Sequence, residues 1–196
     1  MHIILAVEDD LSEAVLRRIL EERPRRYIID AVYKRGGFGF IKKQCGAFNG
    51  LAAEKPVLLL TDLDKHPCAP ALMEDWLQTP RNPGFLFRVA VREVEAWLLA
   101  DAASLGKYLA VRSKKPFPNP EGLDDPKREL LQFAERSTRR NIRENITRRD
   151  SNGVLQQGPA YNLELAGYVN AEWPLAVAIL KCPSLGRMVK ALAKFE

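Results

Sequence analysis

VLLLTDLD, residues 57–64, decides how this chain reads. An unbroken apolar run of this length, stopped by polar residues, reads as a strand buried on both faces, the kind found in parallel sheets. In Asp62-Leu63-Asp64 the i, i+2 spacing puts both carboxylates on one side of an extended chain and turns Leu63 toward the core. Working outward, His2–Val7 is a second such run, closed by Glu8-Asp9-Asp10. YIIDAVY (27–33) and FLFRVAV (85–91) give two more strands. Helical periods lie between them. Residues 11–22 place Leu11, Ala14, Val15, Ile19 and Leu20 on one face, with Asp9 or Asp10 as cap and Pro24 as stop. Further helices are expected from about Ile41 to Glu54, over 70–78, and from Glu93 to Ala100. This β-α-β-α-β-α-β-α order predicts an α/β fold, a mostly parallel sheet flanked by helices.

Beyond Leu109 the texture changes. Residues 111–126 hold four prolines and read as loop. Residues 127–195 show helical periodicity and no convincing strand, with helices expected at 127–137, 138–148, 160–170, 172–180 and 184–194. The expected division is an α/β core over 1–110 and a helical extension over 111–196, packed on that core. With 196 residues, 46% hydrophobic and 28% charged, the chain can bury a full core without staples. Three cysteines without a CxxC pair, and only two histidines, argue against a disulfide framework and a zinc site. A formal charge of +5 permits a polyanionic partner without requiring one. No apolar stretch approaches the roughly 20 residues that span a bilayer, and MHIILAVEDD has no basic segment ahead of its apolar run. The expectation is a cytoplasmic protein with no membrane association.

Acids sit at three strand ends: Glu8 after the first, Asp62 and Asp64 at the third, Glu93 and Glu95 after the fourth. In an open parallel sheet the carboxyl ends of the strands face one crevice, where ligands bind. Carboxylates gathered there repel one another unless a cation lies among them, and oxygen-only ligands suit Mg²⁺ or Mn²⁺. The competing reading is that an Asp after a buried strand serves as a turn former or helix cap. Glu93 and Glu95 point the same way if their segment is extended, and diverge by about 200° if it is helical.

VEDDLSE, LLLTDLD, VREVEAWLLAD and DDPKREL, in this order, resemble the Toprim fold. More narrowly, they resemble the Toprim-like family known as domain of unknown function 4276, related to the Toprim part of overcoming-lysogenization-defect (OLD) nucleases. The resemblance covers nearly the whole chain. It implies that Glu8, Asp62 and Asp64 bind one or two divalent ions, and that the reaction is phosphoryl transfer on nucleic acid. It adds a further acid, Glu95 or Glu93, and a lysine, Lys127. It also implies a setting in phage defence or mobile elements. Three departures stand out. Asp9 replaces the usual glycine after the first Glu. Ser12 stands where OLD enzymes carry an acid, with Glu13 one residue late. The ATPase that accompanies OLD enzymes is missing, since the chain has no GxxxxGK[ST].

Two basic stretches are candidates for nucleic-acid contact. Gly36, Gly37 and Gly39 with Lys34, Arg35, Lys42 and Lys43 suit a phosphate-cradling turn, or a plain solvated one. Residues 136–149 carry six arginines against Glu144, a local excess of +5. On one helix Arg136, Arg139, Arg140 and Arg143 would share a face. Phe38, Phe40, Met73, Trp97, Trp173 and Met188 read as packing. Two functions of different class follow: a Mg²⁺- or Mn²⁺-dependent nuclease or phosphodiesterase, and a non-catalytic module that works with a separate ATPase or other partner.

Overall fold

The structure, a computed structural model, describes residues 1–34, 36–112 and 116–193. It divides into two compact units, Met1–Val91 with Gly186–Glu196, and Arg92–Leu185.

The first unit holds four parallel strands, β1 (His2–Ala6), β2 (Ile28–Tyr33), β3 (Val57–Asp62) and β4 (Phe85–Ala90), in the order β2-β1-β3-β4. The central run becomes a strand because both its faces are covered, every residue of Val57–Thr61 being buried, while β2 lies at the edge and stays half exposed. Helix α1 (Asp10–Glu21) joins β1 to β2, α2 (Gly37–Leu51) joins β2 to β3, and α3 (Ala69–Trp76) joins β3 to β4. Asp9 caps α1, its carboxylate accepting from Ser12 N–H at 2.8 Å. Helix α2 starts earlier than its apolar period suggests, because Gly36 and Gly37 take the left-handed φ values of 90° and 59° that begin it. Phe38 and Phe40 pack against the sheet core with Met73, as their composition implied, and Leu63 is buried as the alternation required.

The second unit is mainly helical: α4 (Val94–Leu99), α5 (Ala102–Tyr108), α6 (Pro126–Ala134), α7 (Arg140–Ile146), α8 (Tyr161–Ala171) and α9 (Leu175–Lys181). Helix α10 (Pro183–Leu192) begins in it and ends in the first unit. Trp97 and Trp173 are fully buried, and the Trp97 indole donates to Ser184 Oγ at 2.9 Å. Within the proline-rich stretch, Pro120–Gly122 forms a single 3₁₀ turn, and residues 113–115 lie outside the described residues. The expectation of helices alone over 127–195 is overturned at one place. Thr147–Arg149 (β5) and Leu155–Gln157 (β6) pair antiparallel. The turn explains them: Asp150 N–H donates to the Val154 carbonyl at 3.0 Å, and Gly153 takes φ 76°.

Candidate functional site

The strand order sets where chemistry can occur in the first unit. From β1 the chain moves to β2 on one side, and from β3 to β4 on the other. The helices that follow β1 and β3 therefore diverge and leave a crevice between the two carboxyl ends, the usual ligand position in open α/β sheets. Glu8 lies two residues beyond β1, and Asp62 closes β3. Glu8 Oε1 accepts from the Thr61 hydroxyl and from the Asp62 N–H at 3.1 Å, so its carboxylate is fixed on the neighbouring strand. Burial raises the Glu8 carboxyl above its ordinary value. The bonds from Thr61 and Asp62 oppose that rise, and the charges of Asp64 and Asp9 add to it. Asp64 sits at φ 47°, a left-handed conformation that Asp tolerates better than most residues. The donors are all oxygens and suit a hard cation. Among the described residues, however, no three His, Cys, Asp or Glu side chains stand together closely enough to hold an ion as they are. Carboxylates of like charge repel, and the Glu8 oxygen is engaged by Thr61 and Asp62.

Ser12 and Glu13, at and just after the position where the resemblance expects a second acid, are engaged elsewhere. Ser12 is buried under the α1 cap. Glu13 accepts from Arg17 at 2.8 Å and from Lys34 at 2.7 Å. Burial alone would raise its carboxyl, but these two cations hold it below the ordinary value.

The second unit gathers the remaining candidates. Glu93 precedes α4 with extended backbone, and its Oε2 accepts the Lys127 N–H at 2.8 Å. Glu95 lies in the first turn of α4 and is 3% exposed. The choice between extended and helical is thus split between the two residues, yet both reach one cation: Lys127 Nζ is 3.7 Å from Glu93 and 3.6 Å from Glu95. Tyr161 donates its hydroxyl to Glu95 Oε1 at 2.8 Å. Burial pushes the Glu95 carboxyl up to about 7; Lys127 opposes this, Glu93 adds to it, and the Tyr161 bond opposes it. Thr61 and Tyr161 were not among the expected site residues. Thr61 adjoins Asp62, which is a usable signal. Tyr161 lies 66 residues from its partner, and nothing in the sequence joins the two.

The basic candidates scatter. Lys42 pairs with Asp75 at 2.6 Å, and Lys34 pairs with Asp10 and Glu13. Lys43 is exposed, and Arg35 lies outside the described residues. The shared face of Arg136, Arg139, Arg140 and Arg143 is overturned. Arg136 lies in the turn after α6, and Arg139 is the extended residue before α7. Only Arg140 and Arg143 are helical; Arg140 bonds Glu144 at 2.7 Å, and Arg143 bonds the Ser137 carbonyl at 2.8 Å. The chain breaks the helix here because Ser137 turns its hydroxyl to the Leu109 carbonyl and bridges to Val111.

Among the described residues no helix is long and apolar enough to cross a membrane. No curated protein and no solved structure gives a match. Residues 8–193, nearly the whole chain and every acid described above, match the family described as Domain of unknown function (DUF4276), and the chain belongs to that family.

Proposed function

We propose that the protein is a Mg²⁺- or Mn²⁺-dependent nuclease or phosphodiesterase of Toprim type, related to the OLD nucleases. The observation that carries this reading is the position of Glu8 and Asp62, which flank the point where the strand order reverses. An acid fixed there by a hydroxyl and a backbone N–H, with Asp62 and Asp64 following on the neighbouring strand end, supplies oxygen donors of the kind a hard cation takes. A divalent ion bound by these groups would activate water and offset charge on the phosphate. The chain's own contributions are distinct. Thr61 and the Asp62 N–H orient Glu8, and the left-handed backbone at Asp64 ends the extended run of β3. The resemblance assigns Lys127 and Glu95 or Glu93 to the same reaction, Lys127 as the cation that neutralises developing phosphate charge.

Calorimetry with Mn²⁺ and a cleavage assay on DNA and RNA test this together. Binding and metal-dependent cleavage should both be present, and Asp62→Ala should weaken the first and abolish the second. Mn²⁺ binding unchanged in Asp62→Ala rejects the site.

One observation favours the second reading, a binding module partnered by a separate ATPase. Ser12 and the cation-paired Glu13 leave the second acid of the OLD pattern unfilled. Mn²⁺ binding without cleavage of either nucleic acid would select it.

A further inference from the structure

The second unit carries a depression of 410 Å³ beside the β5–β6 hairpin, with Asp125, Lys127, Arg128, Arg148, Gln156 and Gln157 in its wall. The volume falls in the range of small-ligand sites, about 300–1,000 Å³. The charge of the wall is cationic. Its one acid, Asp125, already accepts the Arg128 N–H at 2.8 Å and caps α6. Arg128 and Arg148 are exposed, and among the described residues neither guanidinium has an acid within ion-pair distance. The neighbouring arginines differ: Arg149 bonds Glu135 at 2.5 Å, and Arg140 bonds Glu144. Successive strand residues point to opposite faces, so the ion pair of Arg149 leaves Arg148 to the other side. Arg148 stands directly opposite Gln156 in the hairpin register, which puts a guanidinium and an amide on one face. Leu131 and Val154 complete the wall with apolar surface.

Two guanidiniums with open forks, neutral amides and an apolar wall match the parts of a nucleotide unit: phosphate, hydroxyl and base edges, and ring faces. We infer that this depression holds the phosphodiester backbone of a nucleic-acid strand, with Arg128 and Arg148 on phosphate oxygens and Gln156 beside them. The inference rests on the nuclease reading and gives it a substrate subsite on the same wall as Lys127.

The test measures binding of a fluorescent single-stranded thymidine 15-mer to the full chain across a salt series, with the probe checked intact by gel. The double variant R128A/R148A should bind about tenfold more weakly or worse near 0.1 M salt, and its slope of log K against log salt should fall by about 1.4, two contacts on a single strand. The double variant R187A/K190A removes equal charge from α10 and should leave both unchanged. Equal losses in the two double variants, or none in the first, overturn the subsite. A thymidine mononucleotide that displaces the 15-mer at equal concentration also overturns it, in favour of a nucleotide pocket. Both arginines are exposed, and circular dichroism checks that the variants fold. Binding needs no turnover, so the two readings fail separately: arginine-dependent binding without cleavage keeps the subsite and drops the nuclease, and cleavage indifferent to both arginines does the reverse.

Discussion

At the scale of single residues, Glu8 concentrates the tension of the first unit. Its folded carboxyl holds a proton more tightly than its unfolded one, so ionising it opposes folding. The stability this group contributes is complete below the unfolded value of 4.5 and is lost as pH rises through the folded value. Glu8→Gln keeps an amide oxygen to accept from Thr61 and Asp62 and removes the charge. Thermal melts should show the variant more stable than wild type near about pH 7, with the gain vanishing near about pH 4, while Mn²⁺ binding is lost. A variant less stable near pH 7 would mean that the charged carboxylate is better satisfied than its burial implies. Glu95 follows the same sign, and Tyr161→Phe, which removes a donor to its charged form, should raise its titration above about 7 in carbon NMR. Such pairings show where sequence reading stops. The apolar run of β3 and its acidic end are local and could be read directly, whereas the i, i+2 reading assumes an extended chain that ends at Asp62, before the left-handed Asp64. The grip of Thr61 on Glu8 spans 53 residues, and that of Tyr161 on Glu95 spans 66; only the folded chain brings them together.

At the scale of elements, β1, β3 and β4 were legible because each is an apolar run that is largely buried, and β2, the half-exposed edge strand, was legible from its β-branched and aromatic residues. The hairpin was not, because TRR and LQQ are short, and of their six residues only Thr147 is buried. Its signal was the Asn152-Gly153 dipeptide, a hairpin turn signature inside a stretch dominated by arginines. The hairpin is tied back at Gly158, whose N–H donates to the Ile146 carbonyl at 2.8 Å. A Cβ at 158 would lie 2.8 Å from the Asn145 and Ile146 carbonyl carbons. Backbone cannot move aside as a side-chain tip can. Gly158→Ala should therefore cost about 1–3 kcal/mol in urea denaturation and weaken strand binding through the displaced hairpin. An unchanged midpoint would show that the hairpin shifts freely as a body.

At the scale of the whole molecule, the strand order mattered most and was least visible. Alternation in the sequence implies a parallel sheet, but any of several orders would satisfy it, and only β2-β1-β3-β4 sets Glu8 and Asp62 on either side of the reversal. The same holds for the return of the C-terminal segment to the first unit. Met188 and Leu192, at 1% and 0% exposure, belong to that segment. Burying each side chain contributes about 1.5–3 kcal/mol, so a chain ending at Leu185 should melt lower by about 6 °C or more. A loss under about 2 °C would show the segment to be dispensable. This arrangement also puts a clock on synthesis. The sheet strands leave the ribosome before the helix half grouped with them, which is made only after Arg92–Leu185. At about 5–20 residues per second that delay is on the order of 5–20 s. For that time the first unit lacks its C-terminal segment, and a message cut short after Leu185 leaves the earlier-made unit unfinished while the later-made one is whole.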